Sequence, residues 1–227
     1  MISDWNTLYR LQDRVISQMN KVEHEFYLSG GTAISRGYYG HRYSEDLDFF
    51  VNNSHCFTQW RDQCLDALSQ VSSEEKWCLE TVISEDRFGQ SFVHCDSMSL
   101  KLEFINDVQA RVGRPRHHLT LGLLDTEENI LANKITALIG REEPKDMADV
   151  YWLCCVDVLD IAAGLRNAAA KAADDFPPLI VRELKKWRDI GIPDVVWIQR
   201  PVESHFVRGL CRLIDAVEAI QHWDERL

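Results

Sequence analysis

The sequence predicts an α+β fold, in which a mixed sheet with flanking helices occupies residues 1–124 and a helical domain follows over residues 125–227. Three observations carry this. Between residues 26 and 105 short apolar runs and period-two alternation recur, the marks of strands. After Leu124 the apolar residues repeat at three- and four-residue intervals instead, the spacing of helices with one buried face. A chain of 227 residues with 45% hydrophobic and 27% charged content also suffices to bury a substantial core, in one or two domains.

The elements follow in order. Residues 4–21 predict a helix with Trp5, Leu8, Leu11, Val15 and Met19 along one face. Phe26, Tyr27 and Leu28 form an apolar strand that runs into Gly30 and Gly31, and a short helix opens at Thr32 and continues through Ile34. Residues 46–51 read as a second strand, because Leu47 is followed by Phe49, Phe50 and Val51. A helix is expected around 57–71 and two or three further strands over 77–105. Within 99–105, Leu100, Leu102 and Phe104 alternate with Lys101 and Glu103, as in a strand covered on one side. Residues 125–140 predict a helix with Asp125 and Glu128 as a capping box, Ile130, Leu131, Ile135, Leu138 and Ile139 as its apolar face, and Gly140 as its stop. Further helices are expected over 144–158, 161–173, 177–188 and 201–223, with no internal repeat or low-complexity segment.

The chemistry concentrates in residues 27–51. Asp46 and Asp48 are separated by one strand residue, so both carboxylates leave the same side. Two such charges repel, and a cation between them relieves the repulsion. Magnesium suits the pair, since it binds oxygen ligands and commonly uses one or two protein carboxylates, with water and substrate phosphates completing its shell. The bland alternative is a solvated acidic loop. Gly30 and Gly31, at a strand-to-helix turn, would let bare backbone N–H groups approach a phosphate, although such a pair also serves as an ordinary turn.

The order strand, Gly-Gly-Thr, helix, His-Arg-x-Ser-x-Asp-x-Asp, strand resembles the nucleotidyltransferase superfamily that includes DNA polymerase beta. More narrowly, the chain is similar to the AbiEii/AbiGii toxin family. That family carries a Gly-Gly-Thr-Ala turn, here 30–33, a Gly-His-Arg-x-Ser-x-Asp-x-Asp segment, here 40–48, and a Lys-Asp-x-x-Asp helix, here 145–149. The resemblance covers most of the first two thirds of the chain. It implies a polymerase-beta-like core and transfer of a nucleoside monophosphate from an NTP to an acceptor hydroxyl. It also implies a third carboxylate on a neighbouring strand, which makes Glu103 the candidate metal ligand or general base beside Asp46 and Asp48. The superfamily more often has Asp at that position, and the plain reading of Glu103 is a solvent-facing acid. The cofactor implied is Mg2+, or Mn2+ in its place.

Several residues are candidates for binding the nucleotide. Gly30, Gly31 and Thr32 would cradle its phosphates, and His41 and Arg42 would contact phosphate or brace their loop. Lys134 interrupts an apolar stripe, so it reaches either an anion or water. Lys145, Asp146 and Asp149 are spaced as an exposed helical salt bridge, whereas the resemblance assigns them to a nucleotide-facing surface. The resemblance further implies a toxin of a toxin–antitoxin or phage-defence pair, with an antitoxin partner and RNA, tRNA among the options, as acceptor. A small-molecule nucleotidyltransferase of the aminoglycoside-modifying kind and a catalytically silent binding protein are the alternatives.

Composition bounds these readings. A net charge of −11 excludes a protein whose whole surface neutralises nucleic acid phosphates, leaving a local patch such as Arg111, Arg114, Arg116, His117 and His118, in a loop marked by Gly113 and Pro115. The seven cysteines include no Cys-x-x-Cys pair and support neither a zinc site nor a disulfide framework. With no run of eighteen apolar residues and no basic, apolar leader at its N-terminus, the chain is expected in the cytoplasm, away from membranes.

Overall fold

The computed structural model describes residues 4–141, 143–172 and 176–224, with side chains as far as residue 220. Two compact units emerge. One comprises Met1–Tyr39, Tyr43–Gln109 and Arg114–Asp125, and the other Gly40–Arg42, Ala110–Gly113 and Thr126–Leu227. The main division thus falls at residues 125 and 126. Two short segments, 40–42 and 110–113, which the sequence alone assigns to the first domain, group with the second unit.

The first unit is built on a mixed seven-stranded sheet of order β3-β4-β5-β2-β1-β7-β6. Its strands are β1 (Tyr27–Ser29), β2 (Leu47–Asn52), β3 (Cys78–Ser84), β4 (Phe88–Cys95), β5 (Met98–Asp107), β6 (Arg116–His118) and β7 (Gly122–Leu124). β2 runs parallel to β5 and β1 parallel to β7, while the remaining neighbours are antiparallel. The predicted alternation appears as burial. Leu47, Phe49 and Val51 of β2 and Leu100, Leu102 and Phe104 of β5 are buried, and Asp48, Lys101 and Glu103 point to the opposite face.

The aromatic residues of the buried face explain its cohesion. Phe104 stacks on Phe49 at 5.6 Å and meets Phe26 edge-on at 5.2 Å, and Phe26 meets Phe57 at 6.0 Å. Each such side chain contributes about 1.5–3 kcal/mol on burial, with a further ~0.5–1.5 kcal/mol per well-oriented ring pair. Helices α1 (Trp5–Met19) and α3 (Phe57–Gln70) pack on each other. α1 starts where Asp4 accepts the Thr7 N–H (3.0 Å) and buries Leu8, Leu11, Val15 and Met19. Trp5, expected on that stripe, instead stacks on Tyr43 at 4.5 Å in a half-buried aromatic group. β1 passes into a single α-turn, α2 (Gly30–Thr32), continued by a π-helix over Ala33–Tyr39. A further turn, α4 (Ser72–Glu75), follows α3. β6 and β7 form a hairpin where a loop was expected, because three-residue strands are too short to display a period.

The second unit contains α5 (Glu127–Gly140), α6 (Pro144–Tyr151), α7 (Ile161–Ala169), α8 (Phe176–Ile190) and α9 (Glu203–Asp224). α5 packs on α6, α7 and α8, and α8 on α9. Ile130, Leu131, Ile135 and Leu138 are buried as predicted. The cap differs. Thr126, not Asp125, accepts the Asn129 N–H (3.3 Å), while Asp125 belongs to the first unit, where its carboxylate accepts the Ser29 hydroxyl at 2.6 Å. Gly140 closes the helix from inside rather than beyond it. α6 stops at Tyr151 and continues as a π-helical stretch over Trp152–Val156 instead of running as one helix to 158. The last residue of the expected 161–173 helix lies outside the described residues.

Candidate active site

The site is assembled by strand register. Parallel pairing of β2 with β5 sets Asp48 opposite Glu103 and Leu47 opposite Leu102, which places Asp46 beside Lys101. Antiparallel pairing of β5 with β4 brings Gln90 to the other side of Glu103. Asp46, Asp48 and Glu103 are therefore neighbours on one face. On the far side of β2, Ser29 of β1 stands opposite Asp48, and the chain turns sharply at Gly30.

Gly30 has a φ of +65°, which side chains disfavour, and a Cβ there would overlap Asp48 Oδ2. Its bare backbone lies directly against that carboxylate. Gly31 and Thr32 are buried. The Thr32 hydroxyl donates to the Asp46 carbonyl and shares a 2.9 Å hydrogen bond with Ser44, so it fixes the backbone from which Asp46 projects. Gln12, itself buried, donates to the carbonyls of Ser44 (3.1 Å) and Glu45 (2.9 Å) and holds the same segment from α1.

A cation occupies this acidic face. Lys101 Nζ lies 3.2 Å from Asp46 Oδ2 and 3.0 Å from Glu103 Oε1, and Gln90 Nε2 donates to Glu103 Oε1 at 2.9 Å. The side chains of Lys101, Asp46 and Glu103 retain 27%, 24% and 22% of their exposure, so the cluster opens to solvent. Burial pushes the Lys101 ammonium down, but Asp46 and Glu103 outweigh it and hold it above its ordinary value. Burial pushes Glu103 up, and the Lys101 and Gln90 contacts outweigh that, holding it below the usual carboxylate range and ionised at neutral pH. The donor set, three carboxylates beside a stretch of bare backbone, suits a hard divalent cation. As the side chains stand, no three His, Cys, Asp or Glu among the described residues converge on a metal position, and Asp46 and Glu103 converge on Lys101 instead. Sequence reasoning passed over Lys101 and Gln90. Lys101 carried a signal, since the alternation of β5 already placed it on the face of Glu103.

The other predicted residues belong to the second unit and are largely bound to each other there. Asp149 Oδ1 accepts from His41 Nε2 (2.8 Å) and Arg42 Nε (2.7 Å), and Oδ2 accepts from Arg42 Nη2 and Lys134 Nζ, both at 2.7 Å. Lys134 also donates to Asp146 (2.8 Å), which Arg141 Nε approaches at 2.9 Å. His41, Arg42, Lys134, Asp146 and Asp149 are all buried, so in this conformation they offer no surface to a nucleotide. Burial pushes Asp149 up, but Arg42 and Lys134 outweigh it and hold its carboxyl well below the usual range. Burial lowers His41 despite Asp149 beside it, which keeps the imidazole neutral with Nε2 as donor. Lys145 is half-buried on the first turn of α6, and Arg114, Arg116 and His117 are exposed.

Comparison with known proteins identifies the family and the fold. The family model described as nucleotidyl transferase AbiEii toxin, type IV TA system, matches residues 18–197. No curated protein sequence matches the chain. Among solved structures, a Helicobacter pylori protein proposed to be a nucleotidyltransferase superposes with a TM-score of 0.62 at 18% identity, covering 99% of this chain and 98% of its own. JHP933 from Helicobacter pylori superposes with a TM-score of 0.57 at 17% identity, covering 100% and 99%. At such identities the likeness shows the nucleotidyltransferase fold. Among the described residues no helix is long and apolar enough to cross a membrane. The chain belongs to the AbiEii family of nucleotidyltransferase toxins of type IV toxin–antitoxin systems.

Proposed function

We propose that this protein transfers a nucleoside monophosphate from an NTP to a hydroxyl of RNA, tRNA included, as the toxin of a cytoplasmic toxin–antitoxin pair. The acceptor oxygen bonds to the α-phosphorus, the bond to the β-phosphate oxygen breaks, and pyrophosphate leaves. The observation that carries this reading is the in-register pair Asp48 and Glu103, with Asp46 beside them and the Gly30 backbone against Asp48. Asp46 and Asp48 would hold magnesium or manganese, which would supply charge neutralisation for the triphosphate and a lowered pKa for the attacking hydroxyl. Glu103, kept ionised, ligates beside them or takes up the acceptor proton. Gly30 and Gly31 let the phosphates approach the backbone, and Thr32 steadies Asp46 from behind.

His41, Arg42, Lys134 and Asp149 hold one another within the second unit instead of touching the nucleotide, as their burial and mutual pairing favour. Lys145, half-buried on α6, remains the candidate phosphate partner in that unit. The exposed Arg114 and Arg116 favour RNA as acceptor, since a chain of net charge −11 needs a local basic patch to hold it. The same acidity favours a second reading, a cationic small-molecule acceptor of the aminoglycoside kind.

The test incubates the protein with each of the four radiolabelled NTPs, magnesium and either total RNA or an aminoglycoside, beside Asp46→Ala. Label is expected in RNA with the unmodified protein, and Asp46→Ala is expected to lose transfer while melting nearly as before. Transfer undiminished in Asp46→Ala would remove Asp46 from the chemistry, and label in the aminoglycoside alone would select the second reading.

A further inference from the structure

Lys101 and the metal proposed above claim the same oxygens. The residue sits between Leu100 and Leu102, whose burial fixes its strand, and it projects onto the acidic face, where its ammonium bridges Asp46 Oδ2 and Glu103 Oε1 at 3.2 and 3.0 Å. Without a cation there, Asp46, Asp48 and Glu103 would repel across adjacent strands. A lysine is well suited to this place. Its ammonium is a compact point charge on a flexible four-carbon stem, able to neutralise two carboxylates and then to leave them. A divalent ion on Asp46 would stand within a few ångströms of that ammonium, and two positive centres so close repel as strongly as the acids attract.

We propose that Lys101 is a built-in placeholder cation, which neutralises Asp46 and Glu103 while the site holds no metal and must swing out of the bridge before a divalent ion can enter. This rests on the metal-dependent reading of the site. Lys101 is accordingly a positioning residue that sets metal affinity by competition and keeps the metal-free acidic face folded. The partial exposure of all three side chains gives the ammonium a way out toward solvent.

The test is Mn2+ binding, followed by the electron paramagnetic resonance signal of the free ion, together with thermal melting of the metal-free protein. Four proteins are compared: the unmodified chain, Lys101→Met, Lys101→Arg and Asp46→Asn. Removal of the competing charge in Lys101→Met should tighten Mn2+ binding roughly tenfold or more, whereas Lys101→Arg, which keeps the charge, should stay within about threefold of the unmodified chain. Metal-free Lys101→Met should melt below the unmodified chain and recover with Mn2+, and Lys101→Gln serves if the methionine variant fails to fold. Unchanged or weaker Mn2+ binding in Lys101→Met and Lys101→Gln overturns the placeholder role alone. Absence of binding by every protein, Asp46→Asn and the unmodified chain alike, overturns the metal reading and this inference with it.

Discussion

Asp149→Ala should unfold the second unit far more readily, and the size of the effect separates a structural role from a nucleotide-binding one. The carboxylate is fully buried and receives four contacts, one from His41, two from Arg42 and one from Lys134. Lys134 keeps Asp146 at 2.8 Å, so the chief casualty is Arg42, which loses both of its hydrogen bonds to Asp149 while its side chain is only 4% exposed. Breaking a buried pair from one side costs about 3–5 kcal/mol, and hydrogen bonds to charged groups are worth about 1.5–3 kcal/mol each, so a loss of about 4 kcal/mol is expected. Against a total stability of about 5–15 kcal/mol this is a large fraction. With a urea dependence of about 3 kcal/mol per molar, the unfolding midpoint followed by circular dichroism should fall by about 1.3 M. A shift below about 0.3 M combined with lost NTP binding would refute the argument and return Asp149 to the nucleotide site.

Two further outcomes follow from the geometry. Gly30→Ala places a Cβ against Asp48 Oδ2 at a φ of +65°, which costs about 1–2 kcal/mol in backbone strain and displaces the carboxylate. Transfer activity should fall by about 10²-fold, the usual consequence of an ångström of misplacement, and undiminished turnover would show that Gly30 does not position Asp48. His41 has its pKa lowered by burial, so below its unfolded value of about 6.5 the unfolded chain binds the extra proton first and stability declines as pH falls. The urea midpoint should therefore drop from pH 7 toward pH 5.5, and His41→Asn should flatten that slope. An unchanged slope in the variant would assign the effect to another group. The lowered Asp149 pKa adds its own loss only in stronger acid, where the carboxylate finally protonates.

Much of the first unit is legible residue by residue, because strands and turns are governed by local chemistry. Alternation in 99–105 sorts Glu103 from the core, the single residue between Asp46 and Asp48 puts both on one side, and the Gly30–Gly31 pair marks the turn between strand and helix. The Lys-Asp-x-x-Asp spacing misleads for a physical reason. Residues three and four apart on a helix look like a surface salt bridge, and only packing of α5 on α6 shows Asp146 and Asp149 turned inward toward Lys134 and Arg42. The β6 and β7 hairpin escapes notice because each strand has three residues, fewer than a period needs.

By itself, then, the sequence determined which residues of the 99–105 strand lie on its polar face, where the backbone turns at a glycine pair, and that Asp46 and Asp48, one residue apart, share a side. These properties depend on neighbours a few positions away. Tertiary structure alone decided that Glu103 stands beside Asp48, that Lys101 bridges Asp46 and Glu103, and that Asp149 is surrounded by His41, Arg42 and Lys134. Each of those relations joins residues on different elements. Whether a charge there meets water, a ligand or another charge depends on strand register and helix packing, which no local pattern contains.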